Sequence, residues 1–183
     1  MKQLWTPWRI AYILGPKPDA CVFCVPEHRQ EDAERLILYR GQRAFVIMNK
    51  FPYSNGHLMV CPYRHVMQLA DLHQEETHEI MDLMQVCTGI LQQHFHCEGI
   101  NIGLNQGQAA GAGVREHLHF HLVPRWNGDS SFMAVMDEVR TIPQYLEETY
   151  AALKPYFSPA AISEQILAHS HSLTAQHTGG NAP

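Results

Sequence analysis

Apolar residues follow two different periods along this chain. Between Leu36 and Pro62, in LILYRGQRAFVIMNKFPYSNGHLMVCP, short apolar runs alternate with turn chemistry. Arg40-Gly41-Gln42 interrupts the first run, and FPYSNG carries the Pro, Ser, Asn and Gly of a loop. The pattern predicts strands over Leu36–Tyr39, Ala44–Asn49 and His57–Pro62. In DLHQEETHEIMDLMQVCTGILQQHF the period changes. Ile80, Leu83, Met84, Cys87, Ile90, Leu91 and Phe95 fall at helical spacing, which predicts a long amphipathic helix ended by Gly99. GINIGLNQ and HLHFHLV return to strand patterning on either side of the glycine-rich GQAAGAG. A last helix is expected from Asp137 to about Tyr156, on Val139, Tyr145, Leu146, Tyr150 and Leu153, with Pro143 near its start. The fold class is therefore α+β: a five-stranded antiparallel meander sheet, a long covering helix and a C-terminal helix. From Pro159 onward core-forming residues thin out. This divides the chain into a domain at 1–158 and a tail at 159–183, with about its last dozen residues expected to be mobile. No internal repeat is evident.

The 183 residues, 45% of them hydrophobic, suit one domain with a sizeable core. No apolar run approaches the roughly 20 residues of a membrane span. MKQLWTPWRIAYIL has mixed charge and lacks the apolar stretch of a secretory leader, so it reads as part of the fold and the expected location is cytoplasmic. A net charge of -5 counts against a general nucleic-acid binder. It does not count against a small anion held by local donors. The five cysteines are expected to be reduced. Cys61, Cys87 and Cys97 read as small buried hydrophobes. Cys21 and Cys24 form a CxxC, which alone is half a zinc site or a redox pair. The redox reading wants a thioredoxin-like βαβ context, which is absent. There is no second CxxC, so further ligands would have to be histidines.

His117, His119 and His121 stand at every second position of HLHFH, which places them on one face of a strand. Imidazole covers a sheet face less well than Val or Thr. Two functional readings follow, a metal site and a reaction centre. The preceding loop, Asn105 to Gly113, favours a ligand. Its glycines let the backbone approach closely, and successive N–H groups make an anion-binding concavity. A neutral imidazole nitrogen is also a competent nucleophile toward phosphorus.

HLHFHLV, with NKFPYSNGHLMVCPYRHV before it, resembles the histidine triad family over roughly Cys21 to Trp126. The flanks LWTPWRIAYI and VPRWNGDSSFM resemble more particularly its bacterial diadenosine tetraphosphate phosphorylase branch. The resemblance implies a nucleotidyl transferase or hydrolase that cleaves dinucleoside polyphosphates through a covalent nucleotidyl-histidine. It makes His119 the nucleophile, places His121 by the scissile oxygen, and makes His57 the partner that fixes a tautomer. Asn49 would lie near the ribose and Asn105 near the phosphate, with Gly111, Ala112, Gly113 and Val114 cradling the α-phosphate. For Asn49 and Asn105 turn chemistry is the alternative. Cys21, Cys24, His65 and His117 would hold a structural zinc, with His28 as the rival third ligand. Inorganic phosphate is the favoured acceptor, giving ADP and ATP. Plain hydrolysis, adenosine phosphoramidate cleavage and a non-catalytic nucleotide-binding module are the alternatives. Among nearby cations Lys50 and Arg125 are the candidates for distal phosphates. Trp126 could stack on a base or simply be a partly buried hydrophobe. A homodimer is expected, with larger assemblies open through Trp5 and Trp8.

Overall fold

The computed structural model describes residues 20–129 and 144–177, with side chains of the last helix through 168. Five strands form one antiparallel sheet: β1 (Ile37–Arg40), β2 (Ala44–Met48), β3 (Leu58–Pro62), β4 (Gly99–Leu104) and β5 (Phe120–Arg125). Their order is β1-β2-β3-β5-β4. The first three strands meander. The chain then crosses in the helix α1 (Gln74–Phe95), lays down β4 at the sheet edge and returns as β5 beside β3.

The alternation seen in the sequence sorts side chains between two faces. Val46, Leu58, Val60 and Leu122 point toward α1 and pack with its Ile80, Leu83, Cys87, Ile90 and Leu91. Phe45, Ile47, Met59 and Cys61 point the other way and form a second, smaller cluster. His57 and the triad share this second face, because Met59 sits opposite His121 in the β3–β5 register. The chain covers that cluster with Phe23, from the CVFC segment, and with Val114, from the glycine-rich loop.

The helix termini differ from expectation. Gly99 opens β4, and α1 ends instead at His96, which adopts the left-handed conformation at φ 49°. At the other end the His73 N–H donates to Glu76 Oε2 at 2.8 Å. That buried carboxylate is balanced by Arg64, 2.6 Å away. The helix α2 covers Leu146–Leu153, and a 3₁₀ turn follows over Lys154–Phe157. The expected helix from Asp137 is not continuous up to this point. Tyr145, expected as one of its apolar positions, is extended and exposed just before Leu146, because its backbone forms the helix's N-terminal boundary. Positions 137–143 lie outside the described residues. So do Trp5 and Trp8. Where composition suggested a tail, the chain forms a further helix, α3 (Pro159–His177), and seats Ile162 in the main core. Among the described residues no helix is long and apolar enough to cross a membrane.

Candidate functional site

His117 and His119 precede the hydrogen-bonded part of β5, which begins at Phe120. The alternation nonetheless holds. All three triad histidines are buried, and the intervening Leu118 is held by its N–H to the Val66 carbonyl at 2.7 Å. The face parity of the segment is therefore that of a strand, although half of it lies in a loop.

The hydrogen-bond network assigns a tautomer to each ring. A carbonyl only accepts, so His119, 2.8 Å from its neighbour's carbonyl at His117, carries its proton on Nδ1. Its Nε2 therefore holds a lone pair. His117 donates from Nε2 to the Pro62 carbonyl at 2.8 Å, which leaves its Nδ1 lone pair toward the two cysteines. A backbone N–H only donates. The Tyr53 N–H, 3.2 Å from His57 Nδ1, thus makes that nitrogen an acceptor, and the His57 proton lies on Nε2. From there it is donated to His121 Nδ1 at 2.9 Å, so neutral His121 carries its own proton on Nε2. His119 and His121 meet edge to face with ring centroids 4.8 Å apart. Burial lowers the basicity of both, and the neighbouring His119 adds to the effect on His121, whose pKa falls to about 4. At neutral pH the pair is one uncharged base, with a lone pair on His119, beside one hydrogen-bond donor, the Nε2–H of His121.

Asn49 serves the loop that delivers His57. Its Oδ1 accepts the Phe51 N–H at 2.8 Å, and its Nδ2 lies 3.3 Å from His57 Nδ1. The contacts are those of turn chemistry, the alternative given for it above. Gly56 allows the sharp entry into β3 with φ +72°, and a Cβ there would meet the Phe95 ring at 3.0 Å. Asn55 ties the same loop to Thr149 of α2, whose hydroxyl donates to Asn55 Oδ1 at 3.0 Å.

The glycine-rich loop runs through Asn105 and a 3₁₀ turn at Gln108–Ala110, with Gly107 and Gly111 both at positive φ. Its Gln106 side chain accepts the Leu69 N–H at 2.9 Å. Ala112 is buried and Val114 reaches the second cluster, while Gly111 and Gly113 are exposed. Of the two candidate cations, Arg125 is engaged by both oxygens of Asp129, at 2.6 and 2.8 Å. Lys50 is exposed, beside Asn49. Trp126 packs against the main core and donates from its indole to the His96 carbonyl at 3.1 Å.

Cys21, Cys24, His65 and His117 converge, with one ligand atom from each lying within 4.8 Å of all the others. Cys24 Sγ is 3.1 Å from His65 Nδ1, and Cys21 Sγ is 3.4 Å from His117 Nδ1. Two thiols and two imidazole lone pairs at these separations suit a tetrahedral soft cation. His28 is not in this group, and its ring faces Glu31 at 3.7 Å. Phe23, between the two cysteines, was not singled out in the sequence. Its ring packs on His119 with centroids 4.8 Å apart and on His117 at 5.7 Å. Tyr53, likewise overlooked, lies over His57 at 4.8 Å. CVFC puts two apolar residues between the cysteines, and it is the larger, Phe23, that turns inward while Val22 is exposed.

An antiparallel sheet backed by one long helix, with buried alternating histidines on its other face, defines an α+β protein with a histidine-lined site. The HIT domain family model matches residues 30–128, and the chain belongs to that family. It is 37% identical over 157 residues to the AP-4-A phosphorylase of Mycobacterium tuberculosis, covering 81% of this chain and 80% of that protein. It is 34% identical over 89 residues to a bis(5'-adenosyl)-triphosphatase of Dictyostelium discoideum, covering 49% of this chain and 59% of that protein. Among solved structures, a Zn-bound histidine triad family protein from Mycobacterium smegmatis superposes with a TM-score of 0.61 at 30% identity. The match covers 81% of this chain and 97% of that one.

Proposed function

We propose that the protein cleaves dinucleoside polyphosphates, with diadenosine tetraphosphate as the preferred substrate and inorganic phosphate as the acceptor. The observation that carries this reading is the lone pair on His119 Nε2, held on a buried, uncharged ring whose other nitrogen is tied to a carbonyl. That nitrogen attacks the α-phosphorus. An N–P bond forms, the bridging P–O bond breaks and ATP leaves. The Nε2–H of His121 donates to the departing oxygen. Free His121 is neutral, so its role in the resting site is that of a hydrogen-bond donor. The negative charge of a bound polyphosphate raises its pKa and lets it carry the proton that the leaving group needs. Phosphate then attacks the nucleotidyl-histidine, the N–P bond breaks, and ADP is released. The backbone from Gly111 to Val114 and Asn105 hold the α-phosphate. Lys50, without an ion-pair partner among the described residues, meets the distal phosphates in preference to Arg125. The relatives named for AP-4-A phosphorolysis and bis(5'-adenosyl) triphosphate cleavage support this substrate class.

Cys21, Cys24, His65 and His117 hold a zinc ion in this reading. When bound, the ion stabilises two adjacent thiolates and ties the N-terminal segment to the triad. The exposed β4 edge, where Ile102 is half exposed, pairs with a second copy to form a homodimer. None of the five cysteines is paired in a disulfide, which suits a reducing cytoplasm. Product analysis with diadenosine tetraphosphate tests the assignment. Turnover should rise strongly with phosphate concentration and yield ADP plus ATP. AMP plus ATP at a rate indifferent to phosphate would make the protein a hydrolase.

A further inference from the structure

We infer that Phe23 is a positioning residue for His119, holding the imidazole in the plane from which Nε2 reaches phosphorus. The χ2 torsion of histidine joins sp³ and sp² atoms and has broad wells, so a ring plane needs walls to define it. One hydrogen bond, from Nδ1 to the His117 carbonyl, fixes one edge of the His119 ring and leaves it free to pivot. His121 meets the ring edge to face at an interplanar angle of 78°. Phe23 adds a second wall, tilted 34° to the imidazole at a 4.8 Å centroid distance.

Phe23 is itself well anchored. It is buried among Ile37, Phe45, Ile47, Met59 and Cys61. A tight turn, with the Cys24 N–H donating to the Cys21 carbonyl at 3.2 Å, points Phe23 inward while Val22 faces out. The brace on the nucleophile and two of the converging cysteine and histidine ligands therefore belong to one four-residue turn. His117 makes a second link, since it turns its ring to the cysteines and its carbonyl to His119. The ligand cluster and the reacting nitrogen are thus joined by two short paths through this chain's own residues.

The inference rests on the reading of His119 as nucleophile, and the test separates the two. Phe23→Leu keeps apolar bulk and removes the aromatic wall. With diadenosine tetraphosphate and phosphate it should lower kcat about 10- to 100-fold, the loss expected from misplacing a reacting group by a fraction of an ångström to an ångström. KM and zinc content should stay near the wild-type values. In ¹⁵N-histidine spectra the His119 Nδ1–H resonance should broaden. Wild-type kcat with an unchanged resonance would overturn the inference. So would a raised KM at unchanged kcat, which would mean that Phe23 touches substrate instead, and so would a loss of activity that merely follows lost zinc. Should Phe23→Leu not fold, the unaltered protein still decides: cross-relaxation between the Phe23 and His119 rings is expected, and its absence would refute the contact. Full turnover in His119→Ala would defeat the parent reading, and the catalytic role of the brace with it, whatever the ring contact shows.

Discussion

Each triad histidine has one ring nitrogen committed to a neighbour, and the neighbour decides which nitrogen is left for chemistry. The three-fold alternation was legible in HLHFH because face parity depends only on extended backbone. The proton positions were not legible. That of His119 depends on the nearby His117 carbonyl. Those of His117 and His121 depend on the Pro62 carbonyl and, through His57, on the Tyr53 N–H, groups delivered by segments far away in sequence. One consequence is a pH dependence of stability. The pKa of His121 falls from 6.5 to about 4 in the folded protein. Between those values the unfolded chain takes up a proton that the folded one refuses. Stability present above pH 6.5 is therefore lost as pH falls, and the loss levels off near pH 4, where both states are protonated. For a group this buried the full loss is about 3 kcal/mol. Burial depresses His117 and His119 in the same direction. Urea unfolding at pH 7.5 and 4.5 should show a smaller drop for His121→Gln than for the wild type, metal loss being common to both. Equal drops would contradict the buried, neutral His121.

Among the elements, the five strands and α1 match the periodicity of the sequence, and the differences lie at helix termini and in the C-terminal segment. Gly99 was the expected helix stop, yet His96 adopts the left-handed cap and Gly99 begins β4. The helix α3 was missed because it offers few apolar residues. Ile162 is buried in the core and Ile166 packs against it, too sparse a pattern for helical spacing to be visible. Gly56 is expected in a loop and Asn49 at the end of a strand; β2 stops at Met48, and Asn49 joins the loop that orients His57. Gly56→Ala tests its rigidity. The substitution forces a Cβ into a positive φ and against the Phe95 ring, at a cost of about 1–3 kcal/mol. Thermal melting should show the loss, and activity should fall further than stability because His57 shifts with the loop. Unchanged melting and turnover would mean that the loop tolerates another path.

At the scale of the whole molecule, the sheet separates two tasks. The helical face holds the main core, and the opposite face carries the histidines under a cover made from the cysteine turn and the glycine-rich loop. Cys24→Ala should release the zinc proposed here and cost about 3 kcal/mol, which for a chain of this size lowers Tm by roughly 10 °C. Elemental analysis of chelator-free protein should give about one zinc per chain, and metal-free protein with the wild-type Tm would contradict that site. The β4 edge, replaced by Ile102→Glu, should shift the protein from dimer to monomer in light scattering; an unchanged mass would place the interface elsewhere. The proposed cleavage rests on a covalent step at one nitrogen, His119 Nε2. The direct measurement is mass spectrometry of protein quenched in acid-free buffer during turnover of diadenosine tetraphosphate without phosphate, followed by peptide mapping. An adenylyl group on His119, absent from His119→Ala, is the expected result. An adduct on another residue, or full turnover in His119→Ala, would contradict it.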